Sequence, residues 1–279
     1  MTSGEDGGGM ISPALRAFLY LLVAGYAVTG AILFVAPAWA AGNFAWRISA
    51  FLAMTLGGWC LGNAWLAFVV ARRGTWAAVL PPILYLSLFG IFETAVIAAF
   101  RERVLLGSPL AWLYLATIAA TAVFAVAALV DGWRRGPVLG TLGTRMGKVS
   151  FALTLGFILL VGFLGLYGLL AVEGMRGLNA SIFPEVISPF SLRAFGAFYL
   201  ALAIAVIPIL WTRGVRNILN HGYAAYGLLV FITAAAVVYI GQFDFAARPT
   251  QAIYIGIYVL VGTVVGIYLL RYGTGAAQR

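Results

Sequence analysis

Charged residues are scarce in this sequence. Only 9% of the 279 residues are charged, whereas 63% are hydrophobic. A soluble domain carries about 25% charged residues, and the mean hydropathy of this chain is +1.03. Such a chain has too few polar side chains to cover its surface in water, so lipid must surround most of it. The composition therefore predicts a polytopic membrane protein.

Lysine, cysteine and histidine are almost absent, with one of each at Lys148, Cys60 and His221. A single cysteine excludes an intrachain disulfide and a Cys-x-x-Cys redox or zinc motif. A single histidine excludes a bis-histidine haem and a multi-histidine metal site. The chain also lacks a phosphate-binding glycine loop, a Ser-His-Asp set and zinc-ligand spacing. We therefore expect no cofactor, no metal and no enzymatic activity.

Acidic residues are rarer than basic ones, 8 against 17, which gives a formal net charge of +9. The basic residues are scattered between apolar runs and form no continuous stripe, so we expect no nucleic-acid partner. Membrane lipids are the expected partners instead. One basic group follows the fourth apolar run, and we expect it to contact anionic lipid head groups. Its members are Arg134, Arg135, Arg145 and Lys148.

Eight apolar runs predict an all-α fold with eight transmembrane helices. They lie at about 13–35, 48–71, 81–100, 109–130, 149–172, from 190 onward, 222–241 and 249–270. The third helix is expected to begin at Pro81, because proline is tolerated in the first turn of a helix. The seventh is expected to begin at Gly222, which leaves His221 in the exposed basic turn before it.

The second and sixth runs resemble each other in sequence. Five residues recur 139 positions later: Ile48, Ser49, Phe51, Gly57 and Leu61 match Ile187, Ser188, Phe190, Gly196 and Leu200. The third and seventh runs match at the same offset, and the fourth and eighth match at an offset of 140. This spacing predicts two four-helix repeats. Since each repeat has an even number of spans, the two are expected to be parallel, related by a pseudo-twofold axis along the membrane normal.

The repeat sets the predicted domain boundaries. They are a disordered cytoplasmic tail at 1–12, a first unit at 13–131, a basic cytoplasmic linker at 132–148, a second unit at 149–271 and a cytoplasmic tail at 272–279. Eleven of the 17 basic residues lie on the side that holds both termini. The positive-inside rule makes that side cytoplasmic. Because arginine replaces lysine, as is typical of GC-rich bacteria, we expect a multi-pass protein of the bacterial inner (cell) membrane.

Three polar residues within the spans are the predicted substrate-binding residues. Glu93 is the only carboxylate deep in a span, where a charge costs about 2.5–3.5 kcal/mol on an insertion scale unless it is paired. Arg193 enters the sixth span from the same outer side, so we expect the two to pair across the pseudo-twofold interface. Asn63 in the second span is the third candidate. The alternative roles are a structural ion pair for Glu93 and Arg193, and an interhelical hydrogen bond for Asn63.

The segment SLRAFGAFYLALAI, residues 191–204, resembles an Arg-x-x-Gly-Ala-x-Tyr-Leu-Ala pattern near a helix start in small bacterial four-helix membrane proteins, broadly DoxX-like. The likeness covers about one helix. The first unit departs from the pattern, since it has Met54 where the second has Arg193. The resemblance implies a four-helix unit and no activity.

Two functions of different class follow from these features. In the first, the protein binds or transports a small apolar or lipidic molecule between two pseudo-symmetric halves, as is common in transporters. In the second, it is a non-catalytic accessory or assembly subunit of a larger membrane complex, with other membrane subunits or a second copy of itself as partners. The low polarity of the spans favours the second function, and the internal repeat favours the first.

Overall fold

The computed structural model describes residues 9–135, 140–171 and 182–273. Within these ranges the α-helices are α1 (Pro13–Val35), α2 (Pro37–Gly42), α3 (Ala50–Arg73), α4 (Trp76–Ala99), α5 (Pro109–Arg135), α6 (Lys148–Leu169), α7 (Pro189–Thr212), α8 (Val215–Val238) and α9 (Gln251–Gly273). All except the short α2 are long and apolar enough to cross a membrane. The predicted all-α fold with eight such helices is confirmed. Most of both predicted tails, part of the basic linker and the turn at 172–181 lie outside the described residues.

Serine residues precede four of the long helices. The hydroxyl oxygens of Ser12, Ser49, Ser108 and Ser188 each accept a hydrogen bond from the backbone N–H three residues later, at 3.1, 3.1, 3.1 and 3.2 Å. Such a cap satisfies one of the backbone donors that a helix start leaves without an intrahelical partner. These caps fix where α1, α3, α5 and α7 begin.

Two short antiparallel bridges lie at the turns that follow α3 and α7. In the first, the backbone N–H of Ile11 donates to the carbonyl of Gly74 at 2.8 Å. In the second, the N–H of Met146 donates to the carbonyl of Arg213 at 2.7 Å. Gly74 and Arg213 both have a positive φ, 68° and 51°. We call the side of the bundle that carries these bridges the inner side, and the opposite side the outer side.

The bridges explain why two helices begin earlier than predicted. The N–H of Trp76 donates to the carbonyl of Gly9 at 3.0 Å, so α4 starts at Trp76 and not at Pro81. Pro81 and Pro82 therefore lie in its second turn, near the inner end. A proline has no N–H to donate to the carbonyl four residues earlier. Near the end of a transmembrane helix, water can replace this missing hydrogen bond.

The seventh transmembrane helix, α8, is the matching case. The N–H of Val215 donates to the carbonyl of Thr144 at 2.9 Å, and α8 starts there and not at Gly222. His221 is consequently the seventh residue of α8, and it is buried. The prediction that His221 lies in an exposed turn is wrong, because the chain turns at Arg213 and Gly214, directly after α7 ends.

The centre of the bundle is α3, in which 83% of the membrane-spanning window is buried. It packs against α1 on one side and α8 on the other. Glycines make both approaches close: a Cβ added to Gly57 would lie 2.7 Å from the backbone nitrogen of Phe34, and one added to Gly62 would lie 2.7 Å from the Cα of Leu228. Small residues of this kind let transmembrane helices pack backbone to backbone.

We call residues 9–135 the first half and residues 140–273 the second half. The two meet where α3 packs on α8 and α4 packs on α7. Aromatic rings fill this boundary. Trp59 stacks on Phe198 at 4.4 Å between ring centroids, and Trp46 stacks on Phe190 at the same distance. A cavity of about 10 Å³ lies at its inner end between α4, α7 and α8, which is room for about one water molecule.

Candidate functional site

Glu93 lies on α4 in the interior of the first half. Its side chain has no exposed surface. Neither carboxyl oxygen has a hydrogen-bond partner among the described residues. Most buried polar groups in proteins are hydrogen-bonded, so a buried carboxyl group without a partner requires an explanation. An ionisable side chain inside a membrane bundle is by default a candidate for function.

Four buried ionisable side chains lie within electrostatic range of Glu93. Its carboxyl group interacts electrostatically with Tyr26 of α1, Cys60 of α3, Tyr85 of α4 and Tyr114 of α5. All four are fully or nearly fully buried. The hydroxyl group of Tyr114 also lacks a hydrogen-bond partner among the described residues. The carboxyl group thus interacts electrostatically with side chains from all four long helices of the first half.

Asn63 lies deeper in the same interior. Its side-chain oxygen accepts a hydrogen bond from the Tyr85 hydroxyl at 2.8 Å. Its side-chain nitrogen is buried and has no partner in the described part of the chain. Tyr85 precedes Glu93 by eight residues on α4, which is about 12 Å along a helix. Asn63 therefore makes the predicted interhelical hydrogen bond through its side-chain oxygen, whereas its side-chain nitrogen makes none in the described part of the chain.

These side chains form what we call the polar column of the first half: Tyr26, Asn63, Tyr85, Glu93, Tyr114 and Thr121. Tyr26 and Thr121 contribute a buried hydrogen bond of 2.8 Å between their hydroxyl groups. The buried indole N–H of Trp59 lies one helical turn from Asn63 on α3 and also has no partner among the described residues. The column joins polar groups from α1, α3, α4 and α5.

Arg193 does not belong to the column, and the predicted ion pair with Glu93 is wrong. Its Nε donates to the carbonyl oxygen of Ala171 at 2.9 Å, and its guanidinium carbon lies 5.2 Å from the ring centroid of Phe100. Phe100 caps the outer end of α4. Glu93 is seven residues further in, or about 10 Å, so Arg193 remains at the rim while Glu93 is in the interior.

The four basic residues predicted to contact lipid head groups are all exposed near the inner side. Arg135 also forms an ion pair with Asp131 at 3.1 Å. Asp131 accepts two further hydrogen bonds, from the backbone N–H of Ser12 and the indole N–H of Trp76. This carboxylate therefore ties α5 to the starts of α1 and α4. Contact of the four basic residues with lipid head groups stays a prediction.

The carboxyl group of Glu185 lies at the outer end of the boundary between the halves. The Ser49 hydroxyl donates a hydrogen bond to it. Burial raises the pKa of Glu185, and the hydrogen bond from Ser49 offsets this only in part. Burial and the nearby charge of Glu185 also raise the pKa of Tyr239. Residues 172–181 precede this site and are outside the described residues.

The sequence prediction missed the tyrosines of the column. The signal for Tyr85 was its spacing of eight residues from Glu93, which places both side chains toward one side of a helix. Tyr26 and Tyr114 carried no comparable signal, because a tyrosine within an apolar span is as often at an interface as in the interior. Their place in the column follows from the packing of α1 and α5 against the central helices.

No protein-family model, curated protein or solved structure matches this chain. The likeness of residues 191–204 to DoxX-like proteins is therefore local.

Proposed function

We propose that the two halves are parallel four-helix repeats. In support, α3 and α7, and likewise α4 and α8, have bounds that differ by 139 residues at both ends. The helix contacts correspond in the same way. Within the halves, the pair α1–α3 corresponds to the pair α6–α7. Across the boundary, the pair α3–α8 corresponds to the pair α7–α4. The two inner bridges provide a third correspondence.

We further propose that the protein binds or transports a small molecule, and that its working site is the polar column. The single observation that carries this proposal is the carboxyl group of Glu93, buried without a partner among the described residues. A group that destabilises a membrane bundle is retained when it acts on a substrate or an ion. The proposed location is the bacterial inner membrane, with the inner side facing the cytoplasm.

The geometry favours a small polar guest over the apolar or lipidic cargo first expected between the halves. The boundary is filled by stacked aromatic rings. A pocket at its outer end, lined by Trp46, Leu56 and Ser191 among others, has no room for a water molecule. Apolar cargo at the boundary would require the halves to separate, whereas the column already offers unused donors and acceptors.

The second candidate function is that of an accessory or assembly subunit of a larger membrane complex. The observation in its favour is the large outward apolar surface of α6 and α9. Only 17% and 11% of their membrane-spanning windows are buried. A partner helix on these faces would bury residues that otherwise contact lipid.

Native mass spectrometry of the intact particle, purified in a gentle detergent, tests both candidates. The first predicts a single chain with a retained small molecule, which Glu93→Gln and Asn63→Leu release. The control is Ile232→Val, at the position of the second half that matches Glu93, and it should retain the molecule. Co-purification with other membrane subunits, without any mass that depends on Glu93, would favour the accessory function.

A further inference from the structure

We propose that the guest of the polar column is a proton, which the carboxylate of Glu93 takes up from the outer side. This inference rests on the site assigned under the proposed function and names its ligand. In the step itself, a lone pair of one Glu93 carboxylate oxygen forms an O–H bond with the incoming proton. The O–H bond that held this proton in its donor, a hydronium ion at the outer side, breaks and leaves water. Release of the proton to water reverses the step and restores the carboxylate.

Glu93 has no open space beside it. The two pockets between the halves do not include Glu93 among their lining residues. The carboxyl group has no exposed surface of its own. A small organic molecule would reach it only if the helices around the column moved apart. A metal ion needs several ligands, and no group of three His, Cys, Asp or Glu side chains in the described residues is arranged to hold one. A proton needs only an acceptor and a path.

Glu93 has no compensating charge nearby. The ionisable groups within electrostatic range of Glu93 are Tyr26 from α1, Cys60 from α3, Tyr85 from its own helix and Tyr114 from α5. None of them is a cation. From α7, Arg193 binds at the outer rim, and α8 has the apolar Ile232 at the position that matches Glu93. In the described residues, nothing but a proton is left to neutralise this carboxylate.

Tyr114 is the polar residue of the column nearest the outer end of α5. Its hydroxyl group has no partner among the described residues. It is the sixth residue of α5 counted from that end, at a depth of about 8 Å, against about 10 Å for Glu93. A tyrosine hydroxyl both donates and accepts a hydrogen bond. Further in, the Tyr26–Thr121 and Tyr85–Asn63 pairs continue the column toward the inner side.

Infrared difference spectroscopy on the full chain reconstituted in lipid vesicles tests this inference. The carboxylic-acid C=O band is recorded as the external pH is changed, in H₂O and in D₂O. A buried acid that exchanges its proton gives a band that grows as the pH falls and shifts in D₂O. The band assigned to Glu93 should disappear in Glu93→Gln. It should persist in the control Glu185→Gln, which removes the rim carboxyl group instead.

The outcomes separate this inference from the proposed function. A pH-dependent band that only Glu93→Gln removes supports the proton. The same spectrum in the wild type and Glu93→Gln, or an acid band at Glu93 that does not change with pH, overturns it. In the second case a mass released by Glu93→Gln in native mass spectrometry would still support a small-molecule site. If Glu93→Gln fails to fold, Glu93→Asp replaces it, and a band displaced from the wild-type frequency then supports the assignment to this position.

Discussion

The first and second halves differ most in their interiors. In the first half, Glu93, Asn63 and Tyr85 place polar groups on α3 and α4. At the positions 139 residues later, the second half has Ile232, Leu202 and Ala224. The bounds of α3 and α7, and those of α4 and α8, differ by the same number of residues, and each half has one inner bridge. The second half has buried polar groups of its own, a hydrogen bond between Tyr199 and Tyr258 and the hydroxyl of Tyr254, so the difference lies in the carboxyl and amide groups of Glu93 and Asn63.

The halves also differ in how they close around that interior. In the first half α1 packs directly on α5, and a Cβ added to Gly25 would lie 2.9 Å from the hydroxyl oxygen of Thr117. In the second half α6 and α9 do not pack along their length, although Ser150 and Tyr268 are hydrogen-bonded near their inner ends. Polar groups cannot face hydrocarbon without cost. The half that holds the polar column is therefore the half that is sealed against lipid.

The largest loss of stability is expected at the close glycine contacts that the two halves have in common. Gly57 packs α3 on α1, and Gly196 packs α7 on α6. A Cβ added to Gly57 would lie 2.7 Å from the backbone nitrogen of Phe34, and one added to Gly196 would lie closer still to the backbone nitrogen of Leu169. Gly57→Ala and Gly196→Ala should each destabilise the fold by about 3 kcal/mol, the upper end of the range for overpacking. The measurement is the midpoint of thermal unfolding in detergent, followed by tryptophan fluorescence.

Gly256 on α9 provides the control for this pair. A Cβ added there meets no atom within 4 Å, so Gly256→Ala should leave the midpoint unchanged or raise it slightly, since alanine favours helix by about 1 kcal/mol. A large loss in Gly57→Ala with none in Gly196→Ala would break the correspondence between the halves at their closest contacts.

Smaller changes in stability are expected from two single substitutions, Glu93→Ile in the first half and Ile232→Glu in the second, and these changes should have opposite signs. Glu93→Ile removes a buried polar group without a partner in the described residues, and should raise the unfolding midpoint by an amount equivalent to about 1–3 kcal/mol. Ile232→Glu introduces the same burden and should lower it. Unfolding of the two variants and the wild type under identical detergent conditions provides the comparison. A loss of stability in Glu93→Ile would mean that the carboxyl group has a stabilising partner.

The sequence was sufficient for the number of helices and for the choice of Glu93 and Asn63 as buried polar residues. It was not sufficient for the starts of α4 and α8, because the bridges from Gly9 and Thr144 are long-range contacts that leave no local pattern. It also misplaced Arg193, since counting residues gives depth along a helix but not the direction of a long side chain. The tyrosines of the column emerged only when α1 and α5 were packed against the centre.

The smallest effect concerns the outer ends of the halves, which are joined by two different hydrogen bonds. The Trp46 indole N–H donates to the Ser191 hydroxyl at 3.1 Å, and this contact does not titrate. The other bond, from Ser49 to Glu185, does. Burial raises the pKa of Glu185 above its ordinary value of 4.5, so the folded chain binds this proton more tightly than the unfolded chain.

The contribution of Glu185 to stability is therefore fully present below about pH 4.5 and is lost as the pH rises through the raised pKa. Because Glu185 is only partly buried, solvent screening keeps the effect below about 1 kcal/mol. Unfolding midpoints measured from pH 4 upward should fall less steeply in Glu185→Gln than in the wild type. The exposed Glu102 on the same outer side supplies the control variant, Glu102→Gln, which should follow the wild type. Equal slopes in all three proteins would mean that the Ser49–Glu185 contact is as insensitive to pH as the Trp46–Ser191 contact.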